Sequence, residues 1–115
     1  MIREVVTTDA FNAFYDTQNE RTKKKIDYII HILIYEKLLP QTFVKHLTGT
    51  QLYEMRIRAD RQYRVLVFSI AHDNIIESTK VALLNGFVKK STKDYKRHIG
   101  IANKILKNLN TYDNE

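Results

Sequence analysis

The stretch Leu52-Tyr53-Glu54-Met55-Arg56-Ile57-Arg58-Ala59-Asp60-Arg61-Gln62-Tyr63-Arg64-Val65-Leu66-Val67-Phe68-Ser69-Ile70 decides how this chain folds. Its first half alternates Tyr53, Met55 and Ile57 with Glu54, Arg56 and Arg58; its second half alternates Tyr63, Val65 and Val67 with Arg64, Leu66 and Phe68. A period of two sends neighbouring side chains to opposite faces, so the spacing predicts strands over 52–58 and 63–70 joined by the turn Ala59-Asp60-Arg61-Gln62. Register follows from burial. If Tyr53, Met55 and Ile57 share a buried face with Tyr63, Val65 and Val67, Ile57 pairs with Tyr63 and Arg56 stands opposite Arg64, because a one-residue slip turns one apolar set to solvent. Opposed residues have Cβ atoms about 5 Å apart, and like charges so placed repel. An anion between the arginines removes that repulsion. The alternative is that both splay into water or pair with Glu54 and Asp60.

Upstream of the hairpin the period changes to that of a helix. Ile26, Ile29, Ile30 and Leu33 recur at i, i+3, i+4 and i+7 behind the basic lead-in Arg21, Lys23, Lys24 and Lys25. Asn19 is placed to cap this helix, which must stop before Pro40. A shorter helix presenting Phe11, Phe14 and Tyr15 is expected before it, with Thr7, Thr8 and Asp9 as N-caps, and Ile2 to Val6 reads as a short strand. Leu47-Thr48-Gly49 closes the connection into the hairpin. Downstream, His72-Asp73-Asn74 makes a turn, Ile75 to Phe87 reads as a third strand of the meander, and a helix is expected from Thr92 as N-cap. The predicted order is strand, two helices, three strands, helix: an α+β fold in one domain over residues 1–115, since no repeat, linker or composition shift divides the chain.

Nineteen Lys and Arg against thirteen Asp and Glu give a net charge of +6, which makes a polyanion the first partner to consider; the plainer reading is charge that serves solubility. The absence of cysteine excludes disulfides and thiolate metal sites and is compatible with a reducing compartment. Met1-Ile2-Arg3-Glu4 carries an early acid and no signal-peptide core, and the most apolar stretch, Ile26 to Leu39, is broken by Asp27, His31, Glu36 and Lys37. A cytoplasmic location without membrane contact is therefore expected.

The end of the third strand, Gly86-Phe87-Val88-Lys89-Lys90-Ser91-Thr92-Lys93, brings three lysines toward the edge of the same sheet. Guanidinium forks bind phosphate oxygens bidentately and lysines act as movable point charges. A solvated helix start is the plainer reading of the lysines, but cations are unfavourable at the positive end of a helix dipole. Tyr95, close by, can stack on a base, donate a proton or cap the core edge. His31, His46, His72 and His98 show no metal-ligand spacing; His31 reads as structural, while His46 and His98 are available for acid–base work. Neither a glycine-rich phosphate loop nor a serine-nucleophile motif is present.

Leu47-Thr48-Gly49, Leu52-Tyr53-Glu54-Met55-Arg56, Gln62-Tyr63-Arg64-Val65 and Leu83-Leu84-Asn85-Gly86-Phe87-Val88-Lys89-Lys90 together resemble the successive motifs of RelE/ParE-type toxins, closest to the HigB-like, phage-derived branch, over about residues 11–109. The resemblance implies a small antiparallel sheet with two N-terminal helices packed on one face and a C-terminal helix. It also implies the toxin of a type II toxin–antitoxin system, a ribosome-dependent mRNA endonuclease (mRNA interferase) that inhibits translation without a metal or other cofactor. Its partners are mRNA, the ribosome and a cognate helix-turn-helix antitoxin, through which alone it meets operator DNA. On this resemblance Arg56 and Arg64 match the sheet arginines that hold the scissile phosphate, Lys89 and Lys90 the basic pair after the strand, and Lys93 or Tyr95 the C-terminal acid–base position. Glu54 and His46 are the available bases, and Arg58, Arg61, His46 and Phe87 are set against RNA. Two other readings stay open: a ParE-like inhibitor of DNA gyrase that cuts no RNA, and a degenerate toxin that only engages its partner and DNA.

Overall fold

The computed structural model describes residues 1–113. Along the chain run β1 (Glu4–Thr7), α1 (Asp9–Asp16), α2 (Glu20–Tyr35), β2 (Val44–His46), β3 (Leu52–Arg58), β4 (Gln62–Ser69), β5 (Lys80–Val88) and α3 (Thr92–Asp113). The strands form one sheet in the order β1-β5-β4-β3-β2. Helices α1 and α2 cover one face, closing a core of Phe11, Ile26, Ile29 and Leu33 on Met55, Ile57, Val65, Val67 and Leu83. Helix α3 covers the other, where Ala102 packs on Leu52, Leu66, Leu84 and Phe87. The α+β class and the two-helix face thus stand as expected.

The hairpin register is the one burial required: Ile57 pairs with Tyr63 and Arg56 with Arg64. The helix starts follow their caps. Thr8 Oγ1 accepts from the Phe11 amide and Asn19 Oδ1 from the Thr22 amide, each satisfying a donor that the first turn leaves free. At α3 the cap is one residue earlier than expected, because Ser91 Oγ accepts from the Asp94 amide.

Three differences from the expected layout have physical causes. The sheet is mixed, since β1 runs parallel to β5; the direction of an edge strand is set by the path of its long crossover, which local alternation does not encode. A strand of three residues, β2, pairs with β3 and is too short to leave a periodic signal. The last strand begins at Lys80, not Ile75. Asn74 Oδ1 accepts from the Ile76 amide, a local turn that competes with the ladder, and the carbonyls of Ile75 and Ile76 are taken by Arg3.

Arg3 is fully buried and makes no carboxylate pair among the described residues. Its guanidinium donates to the carbonyls of Leu33, Glu36 and Lys37 at the end of α2, and to Ile75 and Ile76. All five donors are used, and the negative end of the helix dipole supplies the counter-charge.

A β-bulge between β4 and β5 positions the candidate site. Leu66 pairs with Asn85 but Val67 with Leu83, so Leu84 is the extra residue. Leu84 packs in the α3-side core, and Asn85 Nδ2, also on that side, donates to the His98 carbonyl. The alternation is thereby shifted by one. Gly86 comes to lie under the Phe14 ring of α1, and Phe87 turns to the α3 face beside Arg64.

Candidate nucleic-acid interface

The α3 face of β3 and β4 carries Glu54, Arg56, Arg58, Arg64 and Leu66, the residues left over once the alternate set is given to the α1–α2 core. Arg56 and Arg64 are opposed across the ladder, and an anion does lie between them. It is Glu54. Its Oε1 is 3.0 Å from Arg56 Nε and its Oε2 3.6 Å from Arg64 Nε; the Glu54 and Arg64 side chains are each 6% exposed, that of Arg56 34%. Both contacts are ion pairs without hydrogen-bond alignment, so the Nε–H of each arginine is buried with no acceptor. Arg64 is held further by donating to the Tyr63 carbonyl and Gln62 Oε1. Burial lowers its pKa from the ordinary arginine value, Glu54 pulls it back up, and Arg56 and Arg58 lower it again; the guanidinium stays charged. No hydrogen bond engages the Arg56 guanidinium among the described residues.

Beside this row lies a groove of about 610 Å³ lined by Lys24, Lys25, Tyr28, Thr42, Phe43, Ile57, Arg56, Arg58 and Arg64. It exists because β2 is short. Its residues pair only with 53–55, so beyond Met55 the edge of β3 meets an irregular segment, where the Arg56 amide donates to the Phe43 carbonyl. Lys25 Nζ bridges from α2 to the Arg58 carbonyl at 2.6 Å. The groove therefore wraps the sheet edge, with arginines on one side and a helix carrying lysines and an aromatic ring on the other.

Lys89, Lys90 and Tyr95 line a second groove, of about 260 Å³, with Leu47, Thr48, Thr50 and Lys96. The two sets of basic residues expected to converge are thus divided between two grooves. Arg61 and Lys93 are exposed and line neither. His46 pairs with Tyr53, whose side chain packs against the α1–α2 core, so it faces away from Glu54 and the arginines. Its ring leans on Tyr53 and its Nε2 lies 2.8 Å from the Thr50 carbonyl, which turns it toward the loop after β2 and away from the arginine row. Phe87 is 6% exposed and stacked on His98 with ring centroids 4.0 Å apart, leaving no face for a base. It supports Tyr95, whose ring meets it edge-on at 5.2 Å and whose hydroxyl is buried with no hydrogen-bond partner.

Two groupings were not expected from the sequence: the partners of His98, which was itself a candidate for acid–base work, and the α2 face that carries Lys24, Lys25 and Tyr28. His98 Nε2 lies 3.3 Å from Asp94 Oδ2 and 3.2 Å from Arg97 Nη2. Burial lowers its pKa from 6.5, Arg97 and Lys90 lower it too, and Asp94 raises it, so the ring is mostly neutral at pH 7. The hydrogen bond from Arg97 holds the Asp94 carboxyl below its usual range, against the opposing effect of desolvation. Asp94 is four residues before His98, a helical spacing that could have flagged the pair. Lys24, Lys25 and Tyr28 also share one helix face at i, i+1 and i+4, but nothing in the sequence brings that face to the hairpin.

Residues 13–107 match the model of a family described as phage derived protein Gp49-like (DUF891). No curated protein matches the chain.

Proposed function

The chain belongs to the phage-derived Gp49-like family, which is related to the toxins of toxin–antitoxin systems, and from that premise we propose that it is an mRNA interferase of the RelE/HigB type. It cuts mRNA on the ribosome in the cytoplasm and is neutralised by a helix-turn-helix antitoxin. The observation that carries this reading is the opposed pair Arg56 and Arg64, fixed on a rigid hairpin around Glu54 and opening on a basic groove.

In this reading the ribose 2′-oxygen attacks the adjacent phosphorus in line, the new O2′–P bond forms and the bond to the 5′-oxygen breaks. The 2′ proton leaves to a base, and the leaving 5′-oxygen takes one up. Arg56, with its free terminal nitrogens, holds the phosphate oxygens as negative charge develops. Arg64 supplies fixed positive charge behind it. Glu54, engaged by both guanidinium groups, serves to orient them, while Lys89 and Lys90 hold the neighbouring backbone. His98, neutral at pH 7, and the Tyr95 hydroxyl are the groups suited to carry protons.

Expression is expected to arrest growth and shorten transcripts. Arg56→Ala tests the reading best, because this partly exposed side chain can be removed while the fold, checked by circular dichroism, is kept. Loss of one charge-stabilising donor is expected to slow cleavage by roughly a hundredfold to a thousandfold. Undiminished cleavage by a folded Arg56→Ala protein would remove the assignment. DNA-damage signalling with intact mRNA would move the chain to the gyrase-inhibiting reading, and absence of toxicity at any expression level to the degenerate one.

A further inference from the structure

We propose that the groove at the open edge of β3 is a single-stranded RNA subsite in which a base stacks on Tyr28 of α2 while its phosphate is taken by Arg56. The inference rests on the RNA-directed reading of the hairpin, and adds to it a helix to which that reading gave no role.

Tyr28 is 58% exposed, and its hydroxyl makes no hydrogen bond among the described residues. Its ring is nevertheless held, edge to face against Phe43 with centroids 5.8 Å apart at 81°. An aromatic side chain fixed on one side and open on the other is a stacking platform that every base can use. Lys24 precedes it by one helical turn on the same face, and Lys25 is tied to the hairpin through the Arg58 carbonyl. The opposite wall is Arg56, whose Nε–H is buried with no acceptor and whose terminal nitrogens are free. The volume, about 610 Å³, lies within the roughly 300–1,000 Å³ typical of ligand sites. Stacking surface and cationic wall together match a nucleotide better than an acidic peptide, which needs no exposed ring between its charges.

The test is binding of a short fluorescein-labelled oligoadenylate to the purified full chain, read by anisotropy, with Tyr28 followed by its aromatic NMR signals. Tyr28→Ala is expected to weaken binding roughly five- to 150-fold, the loss of one stacked base, and Tyr28→Phe to restore it. Tyr35→Ala removes a ring of similar exposure outside the groove and is expected to bind as the parent chain does. Equal affinity of the parent and Tyr28→Ala proteins overturns the subsite. So does binding of an acidic helical peptide at Tyr28 where oligoadenylate does not bind. A parent chain that leaves mRNA uncut in cells but binds oligoadenylate through Tyr28 removes the endonuclease reading and keeps the subsite.

Discussion

Glu54 carries its carboxylate at a position where the sheet leaves it almost no water. Two guanidinium groups compensate it, and it in turn compensates Arg64. Breaking a buried ion pair leaves an uncompensated charge. Glu54→Gln is therefore expected to destabilise the fold by about 3–5 kcal/mol, measured by urea unfolding. Arg56→Ala, which removes a partly exposed partner, should cost no more than about 1 kcal/mol. Equal losses for the two would contradict this division of roles. His98 gives a second expectation at this scale. Its folded pKa lies below 6.5, so below that pH the unfolded chain binds more protons and stability must fall as the solution is acidified. Asp94, whose pKa is lowered, adds its own loss only lower, as pH falls below about 3.8. Replacing His98 by Gln should flatten the stability profile between pH 6.5 and its folded pKa and leave the lower limb in place.

At the scale of elements, the β5 bulge decides which chemistry reaches the α3 face. Because it shifts the alternation, Gly86 meets the Phe14 ring, and a Cβ there would lie 2.3 Å from a ring atom. Gly86→Ala must push α1 from β5 and is expected to cost about 1–3 kcal/mol. Combining it with Phe14→Ala should cost less than the sum of the two single changes, as contacting residues couple; additivity in a double-mutant cycle would refute the contact. Arg3 joins three elements in the same way, tying β1 to the end of α2 and to the turn before β5. Arg3→Ala would strand buried carbonyls and is expected to cost at least about 3 kcal/mol. Arg3→Lys should recover little, because a point-charge ammonium cannot reproduce a planar fork.

At the scale of the molecule, basic groups line two grooves, one wrapping the β3 edge and one beside the start of α3. A single strand held in both is bound largely through its phosphates, so affinity should fall steeply with salt, by a logarithmic slope of about 0.7 per phosphate neutralised. Lys89→Ala and Lys90→Ala are each expected to lower that slope by about 0.7, measured by anisotropy across a salt series. An unchanged slope in the double variant would take the second groove out of RNA binding. Among the described residues no helix is long and apolar enough to cross a membrane.

The hairpin register was legible because alternation admits only one buried pairing, and with it came the facing of Arg56 and Arg64. The caps at Thr8 and Asn19 were legible for a similar reason, since they act within three residues. What the sequence could not carry is anything set at long range. The sequence offered Glu54 as one alternative to an outside anion between the arginines, and the choice between them depends on how three side chains rotate over one face. The division of lysines and arginines between two grooves depends on where β2 stops, the burial of Phe87 on a bulge that moves it by one residue, and the approach of Tyr28 to Arg56 on helix packing across the sheet edge. Local periodicity by itself determined the central hairpin, the helices and the charge they carry. Tertiary packing decided which charges meet, because burial and counter-ion choice are properties of the assembled faces and not of any one segment.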